Sequence, residues 1–320
     1  MKAVVYDRYG TPDVLSVKEI ARPTPGETEV LLRVKSVSLN LSDWECLRGS
    51  PFYVRLFGLL KPRMHILGSD IAGTVAAVGS GVRELIVGDH VFGDALGTFG
   101  GFAEYACVPA DKLMKKPEGL TFDDVAAVPQ ASTIAMQGLR AGGGIRSGQR
   151  VLINGAGGGS GMFAIQIAKM RGAEVTAVDH EEKLDHMRAL GADDVIDYRR
   201  TDFTGTGERY DLILDLVGTR SASAVRRALV KGGTYTMAGG NMRAFFQILL
   251  IGPVVGALSG TRIRMLAAES NFADFEAVLG WLQSGDIKLT IDRRFPLEQT
   301  ADAVRYVGEG RSRGKVLVVP

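Results

Sequence analysis

The sequence predicts an α/β chain: a doubly wound parallel sheet inserted into a barrel-like β domain that both chain ends build. Three observations carry this. Up to about Pro117, apolar residues fall in short β-rich runs punctuated by Gly and Pro. From Thr121 onward, apolar strands alternate with segments of helical spacing, the pattern of βαβ units and hence of a parallel sheet. The chain then closes on another strand-like run, 315–319, which reads as a sheet partner of the N-terminal region. The expected division is 1–120 with 287–320 for the outer domain and 121–286 for the inserted one. At 320 residues the chain exceeds the usual size of one core.

The outer strands are expected at 3–6, 29–37, 71–78, 90–93 and 103–109. The inner sheet is expected from 151–154, 175–179, 195–197, 210–215 and 233–238, with helices at 162–171, 182–190 and 222–230 between them. Further helical patterns occupy 272–283 and 297–307. No repeat of solenoid period is present.

Composition narrows the function classes. Apolar residues make up 46% of the chain and charged ones 23%, with a formal net charge of +2 and scattered Lys and Arg, so nothing resembles a basic surface for nucleic acid. The expected partner is a small molecule. Two distant cysteines, Cys46 and Cys107, fit a reducing compartment and exclude a disulfide framework. Residues 1–9 carry Lys2, Asp7 and Arg8 and have no apolar signal-peptide core, which points to a cytoplasmic location. The apolar stretch 244–258 is shorter than the roughly 20 residues that span a bilayer and holds Gly252 and Pro253, so it reads as a buried or interface element and not as a membrane span.

The chemistry concentrates at 151–161, where an apolar strand runs through a glycine-dense turn into an amphipathic segment, the context of a dinucleotide fingerprint. Small residues let the backbone approach a pyrophosphate, and the N–H groups around Gly159, Ser160 and Gly161 sit at the positive end of a helix. The literal G-x-G-x-x-G string is not present: Ala156 occupies the first glycine position, followed by Gly158 and Gly161. Alone, such a cluster is also compatible with a strand-to-helix connection that binds nothing. Asp179 closes the next strand, eighteen positions after Gly161, where a carboxylate meets the adenosine ribose. It is equally placed to cap the following helix with Glu182 as the second half of a capping box.

These residues resemble the medium-chain dehydrogenase/reductase superfamily, in its zinc-free quinone oxidoreductase (zeta-crystallin-like) branch. The resemblance spans essentially the whole chain. It rests on Asn40-Leu-Ser-Asp43 with Arg48-Gly49, Leu67-Gly-Ser-Asp70 with Gly73, Gly88-Asp89, Gly100-Gly-Phe-Ala-Glu-Tyr105, Ala126-Ala-Val-Pro129 with Thr133, the glycine turn, Leu190-Gly-Ala-Asp193, Asp215-Leu-Val-Gly218 and the closing Gly314-Lys-Val. It implies a GroES-like domain and a Rossmann domain, and a homodimer. It further implies that Gly158, Gly159 and Ser160 face a pyrophosphate, that Thr133 lies near a nicotinamide, and that Val217, buried on any reading, lines the cofactor groove.

Zinc-using relatives bring a Cys and a Gly-His-Glu motif where this chain has Asn40, Ser69 and Asp70. An amide and a hydroxyl are poor zinc ligands beside thiolate and imidazole, so no zinc is expected; Cys46 and His65 lie near these positions but not on them. Conjugated acceptors need less Lewis-acid help, since hydride delivery yields a delocalised anion that hydrogen-bond donors stabilise and a weak acid protonates. Asn40 is the expected amide donor and Tyr53 the phenol nearest the place of the relatives' cleft tyrosine. Asp43 reads as a structural carboxylate, and Asn40 alternatively as a turn residue.

The expected cofactor is NADPH or NADH. Asp179 opposes a 2′-phosphate, whereas Lys183 and Tyr198 fall where NADPH-dependent relatives contact it; the balance favours NADPH. Lys183 also reads as a solvated helix residue able to pair with Asp179, and Tyr198 as an aromatic packed at a strand end. The expected activity is zinc-independent, NAD(P)H-dependent reduction of a quinone or α,β-unsaturated carbonyl compound. A zinc-free alcohol dehydrogenase and a non-catalytic cofactor-binding protein are the alternatives.

Overall fold

A computed structural model describes the backbone of all 320 residues and every side chain except those of Tyr53, Leu56 and Phe57. The chain forms two compact units, Met1–Gln130 with Ile291–Pro320 and Ala131–Thr290. Residues 121–130, placed by composition with the inner domain, belong to the first unit. The reason is local: the short helix that begins this segment packs against strands of the first unit and buries Val125 and Ala126 there.

In the first unit, β1 (Lys2–Val5) and β2 (Ser16–Glu19) form an antiparallel pair. The main sheet contains β3 (Glu29–Ser38), β4 (Asp70–Val78), β5 (His90–Asp94), β6 (Tyr105–Pro109) and β7 (Leu113–Lys115). Ile291–Pro296 and Lys315–Val319 complete it from the other end of the chain. Lys315–Val319 pairs antiparallel with β3, as the closing run suggested. Around β3 the buried core gathers Val30, Leu32, Val34 and Val37 with Leu67, Ile71, Phe102 and Val318. Helix α1 (Leu41–Arg48) follows β3 directly, and α2 (Phe122–Ala126) is capped reciprocally by Thr121 and Asp124.

The second unit holds β8 (Arg150–Asn154), β9 (Glu174–Asp179), β10 (Asp194–Asp197), β11 (Tyr210–Asp215), β12 (Leu229–Met237) and β13 (Arg262–Met265). They lie in the order β10-β9-β8-β11-β12-β13, and every neighbouring pair is parallel. This is the doubly wound arrangement, whose order reverses between β8 and β11. Strands inside such a sheet are covered on both faces and read as apolar runs, which Val151-Leu-Ile and Leu212-Ile-Leu supply. Helix α3 (Pro129–Arg140) precedes β8, and helix α4 (Gly159–Met170) is buried from Gly161 through Ala168, because it is apolar almost all round.

The stretch read as too short to span a membrane lies within a longer helix, Met242–Ser259, of 18 residues and mean hydropathy 1.6, long and apolar enough by length and composition to cross one. Gly252 and Pro253 do not interrupt it. Pro253 stands in the first turn after a π-helical segment, Gln247–Ile251, where a missing N–H costs little. The stretch is also not simply buried: Phe246, Leu250, Val254 and Leu258 are exposed.

Candidate functional site

In the second unit, Asn154, Asp179, Asp197 and Asp215 end neighbouring parallel strands. The register sets them along one edge, Asp197 beside Asp179 and Asp215 beside Asn154. The connections leaving β8 and β11 flank the point where the strand order reverses, the place where such sheets open a crevice. After β8 the chain turns at Gly155, whose φ of +83° suits glycine. Gly161 permits the closest approach, since a Cβ there would run into the backbone of Ala156.

Gly158 differs from both. Its backbone is extended (φ −91°, ψ −174°), and a Cβ would meet only Gly155 O at 3.7 Å, so the space above it is open. No side chain among the described residues caps α4, which leaves the N–H groups of Gly159 to Gly161 for an outside acceptor. Glycines without side chains, free amides and a helix dipole make a cradle for a diphosphate.

Asp179 folds back over this turn. Its Oδ2 accepts from Gly157 N at 2.9 Å, its Oδ1 accepts from His180 N at 2.7 Å, and Lys183 Nζ stands 3.3 Å from Oδ1. The capping box expected with Glu182 is not formed, because these bonds already engage the carboxylate; His180 Nδ1 caps instead, accepting from Glu182 N at 3.3 Å. Lys183, read as solvated, is buried: its stem lies over Gly157, where a Cβ would come 2.5 Å from Lys183 Cδ. Tyr198 follows β10 with its N–H on Asp179 O, its ring near that of His180 and 47% of its surface exposed.

Val217, expected to be buried, is 45% exposed. The cause is Asp215, fully buried, whose Oδ1 accepts from Val217 N at 2.9 Å and Gly218 N at 2.8 Å. The loop turns its backbone inward and its side chain out, beside Gly155. Asn154 Nδ2 and Tyr235 Oη also donate to Asp215, at 2.8 and 2.7 Å. Asp215 therefore ties both connections at the reversal point. It stood in the motif Asp215-Leu-Val-Gly218 without a role, because its side-chain donors, Asn154 and Tyr235, come from other strands. Thr133, on the helix Pro129–Arg140, is buried, and its Oγ1 has no hydrogen-bond partner among the described residues.

In the first unit, Asn40 joins β3 to α1. Asp43 is the structural carboxylate expected: its Oδ2 accepts from Asn40 N and its Oδ1 from Gly68 N, both at 2.9 Å, and burial pushes its carboxyl up to about 6. Asp70 accepts from Gln130 N at 3.2 and 3.3 Å, and Ser69 Oγ lies 3.4 Å from Gln130 Nε2. Lys315 Nζ donates to Asn40 Oδ1 at 2.8 Å and lies 3.7 Å from Asp70 Oδ2. Sequence reasoning gave Lys315 no role, though a charge opening the apolar run Lys315–Val319 was the signal. The side chain of Tyr53 lies outside the described residues. His65 sits against Tyr6 O and Asp7, and burial pushes the Cys46 thiol up to about 12. Among the described residues, no three His, Cys, Asp or Glu side chains form a group that could hold a metal.

Comparison with known proteins agrees with this anatomy. A model of the alcohol dehydrogenase GroES-like domain matches residues 26–118, and one described as zinc-binding dehydrogenase matches residues 190–318. A 2-methylene-furan-3-one reductase from Solanum lycopersicum is 32% identical, over 100% of this chain and 79% of its own. A chloroplastic NADPH-dependent alkenal/one oxidoreductase from Arabidopsis thaliana is 31% identical, over 100% and 80%. The solved quinone oxidoreductase of Coxiella burnetii superposes with a TM-score of 0.90 at 28% identity, covering 100% of this chain and 99% of that one.

Proposed function

Because the chain belongs to the medium-chain dehydrogenase/reductase superfamily, we propose that it reduces quinones or α,β-unsaturated carbonyl compounds with hydride from NADPH and without a catalytic metal. The observation that carries the reading is the open backbone cradle at Gly158, on the edge of the parallel sheet where the strand order reverses. The amides of Gly159, Ser160 and Gly161 would hold the pyrophosphate there. Thr133 Oγ1, buried and without a partner among the described residues, fits the polar edge of a nicotinamide. When bound, the cofactor supplies the hydride.

Preference for NADPH is supported by the pairing of Asp179. A lone carboxylate repels a 2′-phosphate, but this one faces an ammonium and two N–H groups, and Tyr198 lies at the neighbouring strand end. The metal-free part rests on the chemistry of the donor set. Asn40, Ser69 and Asp70 offer an amide, a hydroxyl and a carboxylate that already faces the Lys315 ammonium, which does not fit zinc. Without a Lewis acid, an acceptor whose negative charge delocalises is favoured over a simple ketone. Asn40 Nδ2 would donate to the developing oxyanion, with Tyr53 as the candidate proton donor.

The test is oxidation of NADPH and NADH against a panel of quinones, enones and aldehydes, with metal assayed in the same preparation. Expected are turnover of quinones or enones well above aldehydes, and metal far below one equivalent. Tight cofactor binding with no turnover of any acceptor would instead identify a cofactor-binding protein. Stoichiometric zinc together with alcohol oxidation would identify a zinc-dependent alcohol dehydrogenase.

A further inference from the structure

We infer that Lys315 is a positioning residue for Asn40, its ammonium fixing the amide so that Nδ2 is the end presented to the acceptor. The inference rests on the reductase reading above. The sheet itself makes the juxtaposition. Leu317 pairs with Ser38, so the antiparallel register continued two residues sets Lys315 opposite Asn40. Leu317, Ser38, Asp70 and Asp94 form one row across four strands, and Lys315 and Asn40 stand two positions beyond it, at the strand ends where Asp70 also lies.

An asparagine amide has nearly the same shape either way round, and its neighbours decide which end is oxygen. An ammonium carries three donors and no acceptor. Lys315 Nζ donates to Asn40 Oδ1 at 2.8 Å and to Leu39 O at 3.4 Å, so an inverted amide would turn its NH2 onto a donor. The backbone gives the amide little room to escape. Asn40 N donates to Asp43 Oδ2, and Leu39 N donates to Val316 O at 2.9 Å. Only the flip remains free, and it is settled by Lys315, whose ammonium takes the oxygen, together with Asp70, whose carboxylate favours the NH2.

The other end of the amide has no close partner. Asn40 is 9% exposed, and among the described residues Nδ2 makes no close hydrogen bond, although the amide stands near enough to Asp70 to hold that carboxyl down against its burial. An unpaired buried donor is costly, and it is explained if an acceptor arrives from outside. Lys315 is itself 2% exposed, in a strand whose next three residues are buried and apolar. Burial pulls its ammonium down in pKa and pushes the Asp70 carboxyl up, while each opposes that shift in the other. A Met in its place would fill similar space without desolvating a charge, and buried ion pairs in general add little stability. Its bond to Asn40 is shorter than its approach to Asp70, which places its role at the amide.

The experiment compares wild type with Lys315→Met, Lys315→Arg, Asn40→Ala and the double variant Asn40→Ala/Lys315→Met, measuring kcat and KM for an enone at saturating NADPH, NADPH binding by fluorescence, and thermal stability. Removing one oriented oxyanion donor costs about 100-fold in kcat elsewhere. Accordingly, Asn40→Ala should lose about that much, and Lys315→Met about 10-fold or more. NADPH affinity should stay within about twofold, because the dinucleotide cradle belongs to the other unit. The double variant should be no slower than Asn40→Ala, and Lys315→Arg, which also only donates, should recover most of the rate. If Lys315→Met does not fold, because Asp70 is left buried beside no cation, Lys315→Met/Asp70→Asn takes its place in the comparison. A kcat within twofold of wild type for either single variant to Met or Ala, or losses that multiply in the double, would overturn the inference while leaving the reductase reading intact. A wild type that turns over no acceptor would overturn both.

Discussion

Lys183 Nζ stands 3.3 Å from Asp179 Oδ1, and both side chains are buried at the edge of the parallel sheet. The pair sits i to i+4 across a tight turn, against Gly157 in the connection after β8, and its two charges offset each other there. Lys183→Met uncovers the carboxylate. NADPH, with its 2′-phosphate, should then bind more than tenfold more weakly, and NADH within about threefold, since a mutual repulsion has been added for one cofactor only. Fluorescence titration of both reads this out. Equal losses for the two cofactors would remove Lys183 from the 2′-phosphate site.

The glycine turn can be divided by two alanine variants. Gly158→Ala places a methyl in open space on an extended backbone, so stability should change by no more than about 0.5 kcal/mol, but the methyl stands where the pyrophosphate would approach. NADPH affinity should fall at least tenfold with an unchanged melting temperature. Gly161→Ala drives a methyl into the backbone of Ala156, which has no soft atoms to yield, and should cost about 2–3 kcal/mol before any cofactor is added. If Gly158→Ala bound NADPH normally, the cradle would not be the phosphate site.

These contrasts separate what the sequence makes visible from what it hides. The turn from Asn154 to Gly161 is contiguous, so its strand, glycines and helix can be read in order. The spacing of Asp179 and Lys183 shows that they can pair, but their burial depends on the Lys183 stem lying over Gly157, on the far side of a helix and a strand in sequence. Val217 looks like a core residue by composition alone. Its exposure follows from Asp215 accepting from the N–H groups two and three residues on, a local turn that an Asp before Gly218 could have suggested. Lys315 is the extreme case: its partner Asn40 is 275 positions away, and only the sheet register brings them together.

Asp215 accepts four hydrogen bonds on two oxygens, from Asn154, Tyr235, Val217 and Gly218. Asp215→Asn keeps the shape but aims an NH2 at one set of donors. Leaving buried donors unpaired costs about 1–3 kcal/mol each, so urea unfolding should show a loss of roughly 2–4 kcal/mol. Because the bonds to Val217 and Gly218 hold the loop after β11, NADPH affinity should fall as well, by about tenfold. A loss of stability with full cofactor affinity would show that the loop keeps its shape without the carboxylate.

Glu45, on α1, is half-buried, and its desolvation pushes its carboxyl from 4.5 up to about 7. The sign of the effect on stability follows from proton counting. Below about pH 4 both states hold the proton and the group contributes nothing. Between 4.5 and 7 the folded chain keeps a proton that the unfolded chain has lost, so stability falls as pH rises. Above about 7 the whole cost is present. Glu45→Gln should therefore leave the urea midpoint near pH 4 unchanged and raise stability at pH 8 by about 1–3 kcal/mol. Asp43, also pushed up by burial, makes the contrast: it accepts from two backbone N–H groups, so Asp43→Asn should destabilise the fold at both pH values. A gain in Glu45→Gln that is equal at the two pH values would assign the effect to packing and not to the charge.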